Sequence, residues 1–345
     1  MPVFSRHFAV TELAEWNANN PGNAVRALLD RWALPGTPAT ASTPLRLAIR
    51  AGYVNFYAKG QSVARLDWTR SGPSLSVHQA YVEGRTRDAG PDLGPRGQKY
   101  VTFDSKSLAE PGLAAAIDGW IGTALSYASA EKRFVDDLVA SNSGVIDLEM
   151  GLPAHEDPGS ARVAPRMDLV LVEKQPAGPA VVFWEAKCAN NSELRSSSDY
   201  SQLPDGGFTG PKVLRQVGKY VEWMGQPSRI DEVRLAYRKT AATMLQFRQS
   251  FGGAGTETAD CVALWQLLVD SEPVVIVQPG IVIGNYWPEN ARENIASGRM
   301  AQAAASFLRN GHRAKLDAMG VAVHEVGSSS DQPILPSLAA GATSA

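Results

Sequence analysis

Two short apolar runs separated by a turn form the clearest pattern in the chain. The first run extends from Leu169 to Val172, a stretch with proline and glycine follows from Glu173 to Pro179, and the second run extends from Val181 to Trp184. Apolar runs bounded by turn residues are typical of buried strands, so the pattern predicts an antiparallel hairpin. Charged residues lie at the open end of this hairpin, because Asp168 precedes the first run and Glu185-Ala186-Lys187 follows the second.

The charged residues at the hairpin end predict a phosphodiesterase site. Side chains alternate along a strand, so Glu185 and Lys187 are expected on one face, with Asp168 beside them on the neighbouring strand. A buried charge costs several kcal/mol unless it is paired, hydrated or bound to a ligand. Two carboxylates suit Mg²⁺, and a lysine beside them can stabilise charge on a scissile phosphate. The alternative is a structural ion pair, or strand ends that emerge into water.

Helices are predicted on both sides of the hairpin. Upstream, residues 130–139 have helical apolar spacing, with Glu131 near the start of the helix. Downstream, Pro211 begins a helix at Lys212 that ends at Gly225 and Pro227. Within this second helix, Gln216 and Tyr220 are one turn apart.

These four elements, in this order, resemble the PD-(D/E)XK nuclease superfamily, which includes many restriction endonucleases. The resemblance covers about residues 125–285 and implies a restriction-endonuclease-like mixed sheet flanked by helices. It implies that Asp168 and Glu185 are metal ligands, that the Ala186 carbonyl is a further ligand, and that Lys187 is the catalytic base or charge stabiliser. One departure is that Arg166-Met167, not proline, precedes Asp168.

The flanking helices supply the remaining expected site residues. Glu131 matches the acid that the family often carries on its first helix, with Asp136 and Asp137 as rivals. Gln216 and Tyr220 match the family's Gln-x-x-x-Tyr element. The predicted catalytic set is therefore Asp168, Glu185, Lys187, Glu131 and Gln216.

Basic residues on the downstream helix suggest where a nucleic acid would bind. Lys212, Arg215 and Lys219 lie along one stripe, and together with Tyr220 they are candidates for nucleic-acid contact. The alternative is that this stripe is a solvated helix face.

The resemblance implies a function as well as a fold. It implies a Mg²⁺-dependent endonuclease or exonuclease, with Mn²⁺ able to substitute, that hydrolyses DNA and leaves a 5′-phosphate in restriction, repair or antiviral defence. Two alternatives stay open: a catalytically inactive nucleic-acid-binding or assembly module, and a nuclease that acts on RNA. A homodimer, a partner protein or an activating ligand would each be compatible with this chemistry.

The region before the hairpin has a different pattern. Two short helices are expected within residues 9–34, and apolar residues then alternate with polar ones from Leu45 to Phe103 in about five strands. This predicts a small antiparallel β-rich module. Arg46, Arg50, Arg65 and Arg70 lie in this module, and we expect these alternating arginines on an outer sheet face, where arginine is usually solubilising and could contact nucleic acid.

The overall prediction is an α/β (α+β) chain with three parts. Residues 1–110 form the helical start and β-rich module, residues 111–326 form the nuclease-like domain, and residues 327–345 form a disordered tail rich in Ser, Gly, Pro and Ala. Within the domain, residues 228–251 are expected to be helical, residues 262–269 and 273–278 to be buried strands, residues 288–319 to be mainly helical, and residues 321–326 to be a strand.

Composition narrows the classes of protein that remain. With 345 residues and 44% hydrophobic content, the chain can bury a sizeable core, and its net charge of −2 means that DNA affinity would need a local basic patch. Two cysteines exclude a disulfide framework, and no Cys/His spacing indicates zinc. With no signal-like or membrane-spanning apolar stretch, a cytoplasmic protein without membrane contact is expected.

Overall fold

A computed structural model describes residues 3–87, 99–153, 166–189, 191–194, 211–252, 259–284, 312–318, 320–326 and 332–342. The chain divides into two compact units. One, called the hairpin unit, comprises Met1–Phe4, Leu148–Arg234 and Ser271–Ala345. The other, called the meander unit, comprises Ser5–Asp147 and Leu235–Asp270. Residues 111–147 and 235–270, which the sequence interpretation placed in the nuclease-like domain, thus lie in the meander unit.

The described helices are α1 (Val10–Asn19), α2 (Ala24–Leu29), α3 (Gln79–Val82), α4 (Ser105–Leu108), α5 (Pro111–Ser126), α6 (Ala130–Ser141), α7 (Val213–Met224), α8 (Arg229–Phe251), α9 (Ala259–Asp270), α10 (His312–Ala318) and α11 (Ala339–Ala342). The described strands are β1 (Arg46–Ile49), β2 (Tyr53–Ala58), β3 (Gln61–Thr69), β4 (Gly72–His78), β5 (Tyr100–Phe103), β6 (Val145–Gly151), β7 (Arg166–Gln175), β8 (Gly178–Cys188), β9 (Val274–Val275), β10 (Gly280–Gly284) and β11 (Val323–Val326).

The meander unit contains the predicted antiparallel module. Strands β1 to β5 form an antiparallel sheet in chain order, which confirms that part of the prediction. Lys59 and Gly60 both have positive φ, at 48° and 68°, as a tight turn between two strands requires. A Cβ on Gly60 would lie 2.5 Å from the Lys132 carbonyl oxygen, so this turn also needs the absence of a side chain.

Helix α9 corrects the prediction of a buried strand over residues 262–269. The stretch is apolar apart from Gln266, but the fully buried residues of α9 are Cys261, Trp265 and Leu268, which are spaced four and three positions apart. That spacing is helical, and a continuous apolar run does not reveal it. The predicted strand at 273–278 is reduced to β9, and β11 confirms a strand within 321–326. Of the predicted helical stretch 288–319, residues 312–318 are helical and 288–311 lie outside the described part.

Of the four arginines predicted on an outer sheet face, Arg65 and Arg70 are exposed, whereas Arg46 and Arg50 are placed differently from the prediction. Arg46 belongs to β1, whose residues are all buried, and Arg50 directly follows that strand; their exposed fractions are 2% and 6%. The Arg46 Nε donates to Asp136 Oδ1 at 3.1 Å, and Lys59 Nζ lies 3.0 Å from Asp136 Oδ2. These arginines therefore neutralise interior carboxylates and are not exposed to solvent or to a nucleic acid.

Arg50 belongs to a second buried group centred on Asp147. This carboxylate pairs with the Arg50 guanidinium, accepts from Arg6 Nη2 at 3.2 Å and accepts from the Tyr237 hydroxyl at 3.2 Å. The Asp147 side chain is 0% exposed, and those of Arg6 and Arg50 are 5% and 8% exposed. We call Asp147, Arg6, Arg50 and Tyr237 the Asp147 cluster.

The hairpin unit is built on a mixed sheet in the order β11-β10-β8-β7-β6, with β9 paired to β8. Strands β7 and β8 form the predicted antiparallel hairpin, with Leu169 opposite Trp184 at one end and Gln175 opposite Gly178 at the turn. Strand β10 pairs with β8 in parallel. The protein thus has the coarse architecture that was expected, a mixed α/β chain with an antiparallel and a mixed sheet.

Helix α7 covers β10 in this unit. Its residues Val213, Leu214 and Val217 share one buried cluster with Ile281 and Ile283 of β10. At the start of β10, Gly280 lies opposite Trp184 of β8, and a Cβ on Gly280 would lie 2.6 Å from that indole ring. The close approach of strand and ring therefore depends on glycine.

The described part of the tail differs from the prediction of a disordered segment. Ser337 Oγ donates to Glu173 Oε2 at 2.5 Å, and the Leu338 N–H donates to Glu173 Oε1 at 3.0 Å. Glu173 lies near the turn of the hairpin, and α11 follows these contacts. The composition of the tail could not indicate that the Glu173 carboxylate binds this segment. Among the described residues, no helix combines the length and apolar character needed to cross a bilayer.

Candidate active site

The hairpin register brings Asp168 to the end of β8. Each opposed pair from Leu169 and Trp184 onward follows one register, and continuing it by one residue places Asp168 opposite Glu185. The Ala186 N–H donates to Asp168 Oδ2 at 2.8 Å, which ties the carboxylate to the strand that carries Glu185 and Lys187. The predicted proximity of Asp168 to the end of β8 is therefore confirmed.

Glu185 and Lys187 form a buried ion pair on one face of β8. The Lys187 Nζ lies 2.5 Å from Glu185 Oε1, and the two side chains are 6% and 1% exposed. Their two-residue spacing puts both on the same side of the strand. Removing one partner of such a pair leaves a buried charge and typically costs about 3–5 kcal/mol.

Asp168 makes this charged group accessible. Whereas Glu185 and Lys187 are buried, Asp168 is of intermediate exposure. Its contact with the Ala186 N–H fixes the carboxylate, because charge-assisted hydrogen bonds are about twice as strong as neutral ones. Fixed, partly exposed carboxylates beside a lysine can bind a cation and a phosphate.

Glu193 is a residue of this group that the sequence interpretation missed. Its Oε2 lies 3.3 Å from Lys187 Nζ, so the lysine contacts two carboxylates. Glu193 belongs to a 3₁₀ turn, Ser192–Leu194, whose Leu194 is fully buried. The Glu193 N–H donates to Asn191 Oδ1 at 2.9 Å, which helps to shape the turn. Its sequence signal is weak, a lone acid six positions after the lysine.

Helix α7 places Gln216 against the strand that carries Asp168. The Gln216 Nε2 donates to the Arg166 carbonyl at 3.2 Å, two residues before Asp168. Gln216 therefore faces β7, as the resemblance implies, and its contact is with the backbone of that strand. It orders the start of the strand from which Asp168 projects.

Tyr220 is placed differently from the expectation of a nucleic-acid contact. Its side chain is 0% exposed, and its ring lies 5.1 Å from that of Phe183 between centroids. A residue buried to this degree packs inside the hairpin unit, because the i+4 position from Gln216 lies on the inward face of α7. The basic residues of α7 remain candidates, since Arg215 is exposed and Lys212 and Lys219 are of intermediate exposure.

The hairpin unit also contains an arginine at the beginning of β7. Arg166 is 63% exposed and pairs with Glu149 of β6, whose φ of 49° is unusual for a residue with a side chain. Met167 stands directly before Asp168, where the family name has proline, and Arg166 precedes it. The Arg166 guanidinium is therefore a further exposed cation close in sequence to the candidate site.

Glu131 lies in the first turn of α6, which belongs to the meander unit. Ser129 caps this helix by accepting from the Lys132 N–H at 3.2 Å, which confirms a helix start at the expected position. Because Glu131 and the hairpin end belong to different units, the participation of Glu131 in the site stays a prediction.

The residues present fit a Mg²⁺ ion in type and number. This ion commonly takes one or two protein carboxylates and completes its coordination with water and substrate phosphate. Within the described ranges, no three or more His, Cys, Asp and Glu side chains converge as a ready metal cage. An ion that shares its coordination with substrate would need no more than the two carboxylates of Asp168 and Glu185, and Glu193 is directed at Lys187.

Comparisons of the chain with protein-family models, with curated proteins and with solved structures return no match.

Proposed function

We propose that this protein is a metal-dependent nuclease that hydrolyses DNA phosphodiester bonds at the end of strands β7 and β8. The observation that carries the proposal is the hydrogen bond from the Ala186 N–H to Asp168 Oδ2, at 2.8 Å, beside the Glu185–Lys187 pair. It joins two carboxylates and a lysine where only Asp168 is of intermediate exposure. Charges clustered in this way concentrate at functional sites, and here the intermediate exposure of Asp168 gives a ligand access to the group.

Topology supports a restriction-endonuclease-like fold for the hairpin unit. An antiparallel hairpin is followed by α7 and then by β10, which is parallel to the second strand of the hairpin. Asp168, Glu185 and Lys187 occupy the positions in these elements that the PD-(D/E)XK resemblance assigns to them. The fold proposal and the functional proposal therefore rest on the same three residues.

In this proposal Asp168 and Glu185 hold Mg²⁺, with the Ala186 carbonyl as a further ligand and Mn²⁺ as a substitute. The bound ion supplies neutralisation of phosphate charge and activation of an attacking water. The protein holds the two carboxylates in place, because β8 fixes Glu185 in the sheet and the Ala186 N–H fixes the Asp168 carboxylate.

Lys187 supplies positive charge at the scissile phosphate. Its Nζ donates to Glu185 Oε1 and lies 3.3 Å from Glu193 Oε2, and the same group can donate to a phosphate that gains negative charge during hydrolysis. Arg215 and Lys219 of α7 are suited to bind phosphates farther along the substrate. Gln216 keeps the start of β7 in place through the Arg166 carbonyl.

A second candidate is a module that binds nucleic acid without cutting it. The observation in its favour is that Lys187 already contacts two carboxylates, so these charges compensate one another without a ligand. A third candidate is an RNA nuclease with the same residues. The biological setting proposed for a DNA nuclease is restriction, repair or antiviral defence, alone, as a homodimer or with an activator.

The direct test is cleavage of nucleic acid by the purified full-length chain. Supercoiled plasmid, linear duplex DNA and a structured RNA are incubated with Mg²⁺, with Mn²⁺ and with EDTA. The matched variants are Lys187→Ala and Lys174→Ala, because Lys174 is exposed on β7 near the hairpin turn. We expect metal-dependent DNA cleavage in the wild type and Lys174→Ala, and loss in Lys187→Ala.

Three results would contradict the proposed DNA nuclease activity or its assignment to this site. Cleavage retained in Lys187→Ala would remove this site from the reaction, and cleavage confined to RNA would change the substrate. Binding of nucleic acid without cleavage in any metal would favour the non-cutting module. Circular dichroism of Lys187→Ala serves as the folding control, since the substitution leaves Glu185 without its lysine.

A further inference from the structure

Lys187 has two carboxylate partners that differ in exposure. The Glu185 side chain is 1% exposed and is fixed within β8, whereas the Glu193 side chain is 45% exposed on the turn that follows the strand. A ligand that arrives from solvent therefore meets the Glu193 carboxylate before it meets the Glu185 carboxylate. The two acids have unequal roles for this reason.

The Glu193 turn is built to hold its carboxylate at the lysine. The Asn191 N–H donates to the Cys188 carbonyl at 2.8 Å, so the chain turns back directly after β8. Leu194 is buried in the cluster that contains Ile281 and Ile283, which anchors the other end of the turn. The Glu193–Lys187 contact is thus supported from both sides.

Glu193 is not placed as a metal ligand beside the other carboxylates. Asp168, Glu185 and Glu193 do not form a group that could hold an ion together, within the part of the chain that the structure describes. The Glu193 carboxylate lies 3.3 Å from the Lys187 ammonium. Its carboxylate thus takes the place on that ammonium that a phosphate oxygen would take.

We propose that Glu193 is an autoinhibitory residue whose carboxylate occupies Lys187 as an internal substitute for the substrate phosphate, so that nucleic acid binds by displacing it. This inference rests on the proposed function and adds its regulation. Glu185 stays with Lys187 during the exchange because the strand fixes both, while Glu193 moves away toward solvent. The exchange favours substrates that present a phosphate at this point, because only an anion can replace a carboxylate there.

The first test measures binding of a duplex oligonucleotide by fluorescence anisotropy in EDTA, where cleavage does not interfere. Glu193→Gln keeps the shape of the side chain and removes its charge. We expect this variant to bind about fivefold more tightly, at the upper end of the effect of a partly exposed ion pair. Glu222→Gln is the matched control, because Glu222 is an exposed acid on α7 in the same unit.

A double-variant cycle separates displacement from general repulsion. In a Lys187→Met background, Glu193→Gln should no longer improve binding, since the lysine that Glu193 occupies is absent. An equal improvement in both backgrounds, or in Glu222→Gln, would overturn the proposal by showing a nonspecific effect of charge. Unchanged or weaker binding by Glu193→Gln would overturn it as well.

The kinetic test distinguishes an inhibitory residue from one needed for the reaction. With Mg²⁺, we expect Glu193→Gln to lower KM by about fivefold and to leave kcat within about twofold, since the effect acts on binding. A marked fall in kcat would overturn the proposal and make Glu193 part of the catalytic group. If the wild type binds DNA without cutting it, the proposed function fails and the binding cycle still decides the role of Glu193. Absence of binding in all variants overturns both.

Discussion

The Asp147 cluster and the candidate active site both contain buried charges, but they differ in whether some of their side chains reach solvent. In the Asp147 cluster every member is at most 8% exposed by side chain or residue, and the carboxylate accepts from two arginines and a tyrosine. In the candidate site the buried Glu185–Lys187 pair continues into Asp168 and Glu193, which are of intermediate exposure.

The difference indicates what each group is for. A cluster closed on all sides stabilises one packing arrangement and offers no surface to a ligand. A cluster with partly exposed members can exchange an internal partner for an external one. Buried charge by itself is therefore weak evidence for function in this protein, and the exposure of its outer members is the more informative property.

The largest effect should come from Asp168→Asn. Asparagine still offers an oxygen to the Ala186 N–H, so the fold should be kept, but the negative charge that a metal requires is lost. We expect cleavage to fall by about a thousandfold or more, equivalent to roughly 4 kcal/mol in the activation barrier. Single-turnover cleavage rates and thermal melting on the same samples check this. A large fall in melting temperature would place Asp168 with the structural charges instead.

The next effect concerns stability and uses Asp147→Asn. The substitution leaves Arg6 and Arg50 buried without a counter-charge, so we expect the free energy of unfolding to fall by about 3–5 kcal/mol. Urea denaturation measures this fall. Asp67→Asn is the control in the same unit, because its pair with Arg65 is partly exposed and should contribute less than about 1 kcal/mol. Equal effects of the two substitutions would contradict the comparison.

A smaller effect is expected for Tyr237→Phe, which removes one hydrogen bond to Asp147. Burial, reinforced by the negative charge of Asp147, raises the pKa of Tyr237 well above 10.0. We expect a loss of about 1.5 kcal/mol at neutral pH. Above pH 10 the unfolded tyrosine loses its proton before the folded one, so the wild-type advantage declines as pH rises. Unfolding free energies of both proteins between about pH 9 and about pH 11 test this convergence.

The smallest effect is expected for Glu232→Gln in the hairpin unit. Burial raises the pKa of Glu232, but hydrogen bonds from the Phe4 N–H at 2.9 Å and from Arg229 at 2.7 Å outweigh it, and the net pKa is lowered. We expect a loss of about 1 kcal/mol at pH 7. The advantage of the ionised carboxylate is fully present above the unfolded pKa and is lost as pH falls through the folded pKa, which lies lower. Denaturation at pH 7 and at a series of acidic pH values should show the difference and its decline.

The sequence was most informative where the pattern is local. The hairpin of β7 and β8 could be predicted because its two apolar runs flank an obvious turn, and the register then follows from the turn. Helix α7 could be predicted from the proline before it and the glycine after it. Asp168 and Lys187 were found for the same reason, since their proximity depends on only nineteen positions of chain.

Where the partner is distant in sequence, local patterns gave the wrong environment or none. Arg46 and Arg50 look like outer residues of an alternating strand, but their carboxylates lie 90 and 97 positions away along the chain. The alternation of apolar and polar residues indicates which residues share a face of a strand. It does not indicate what packs against that face. Glu193 was missed for another reason, because a short turn after a strand has no periodicity that would direct its side chain.

One consequence follows from the glycine at position 280. Its place opposite Trp184, one residue before Glu185, makes a hydrogen atom the only substituent that the strand pair accommodates. In a library of random variants selected for activity, position 280 should therefore tolerate as little change as the charged residues, although it contributes no chemistry. A selection for activity alone would therefore assign Gly280 to the active site. A parallel selection for folded protein would distinguish a catalytic residue from one that is required for packing.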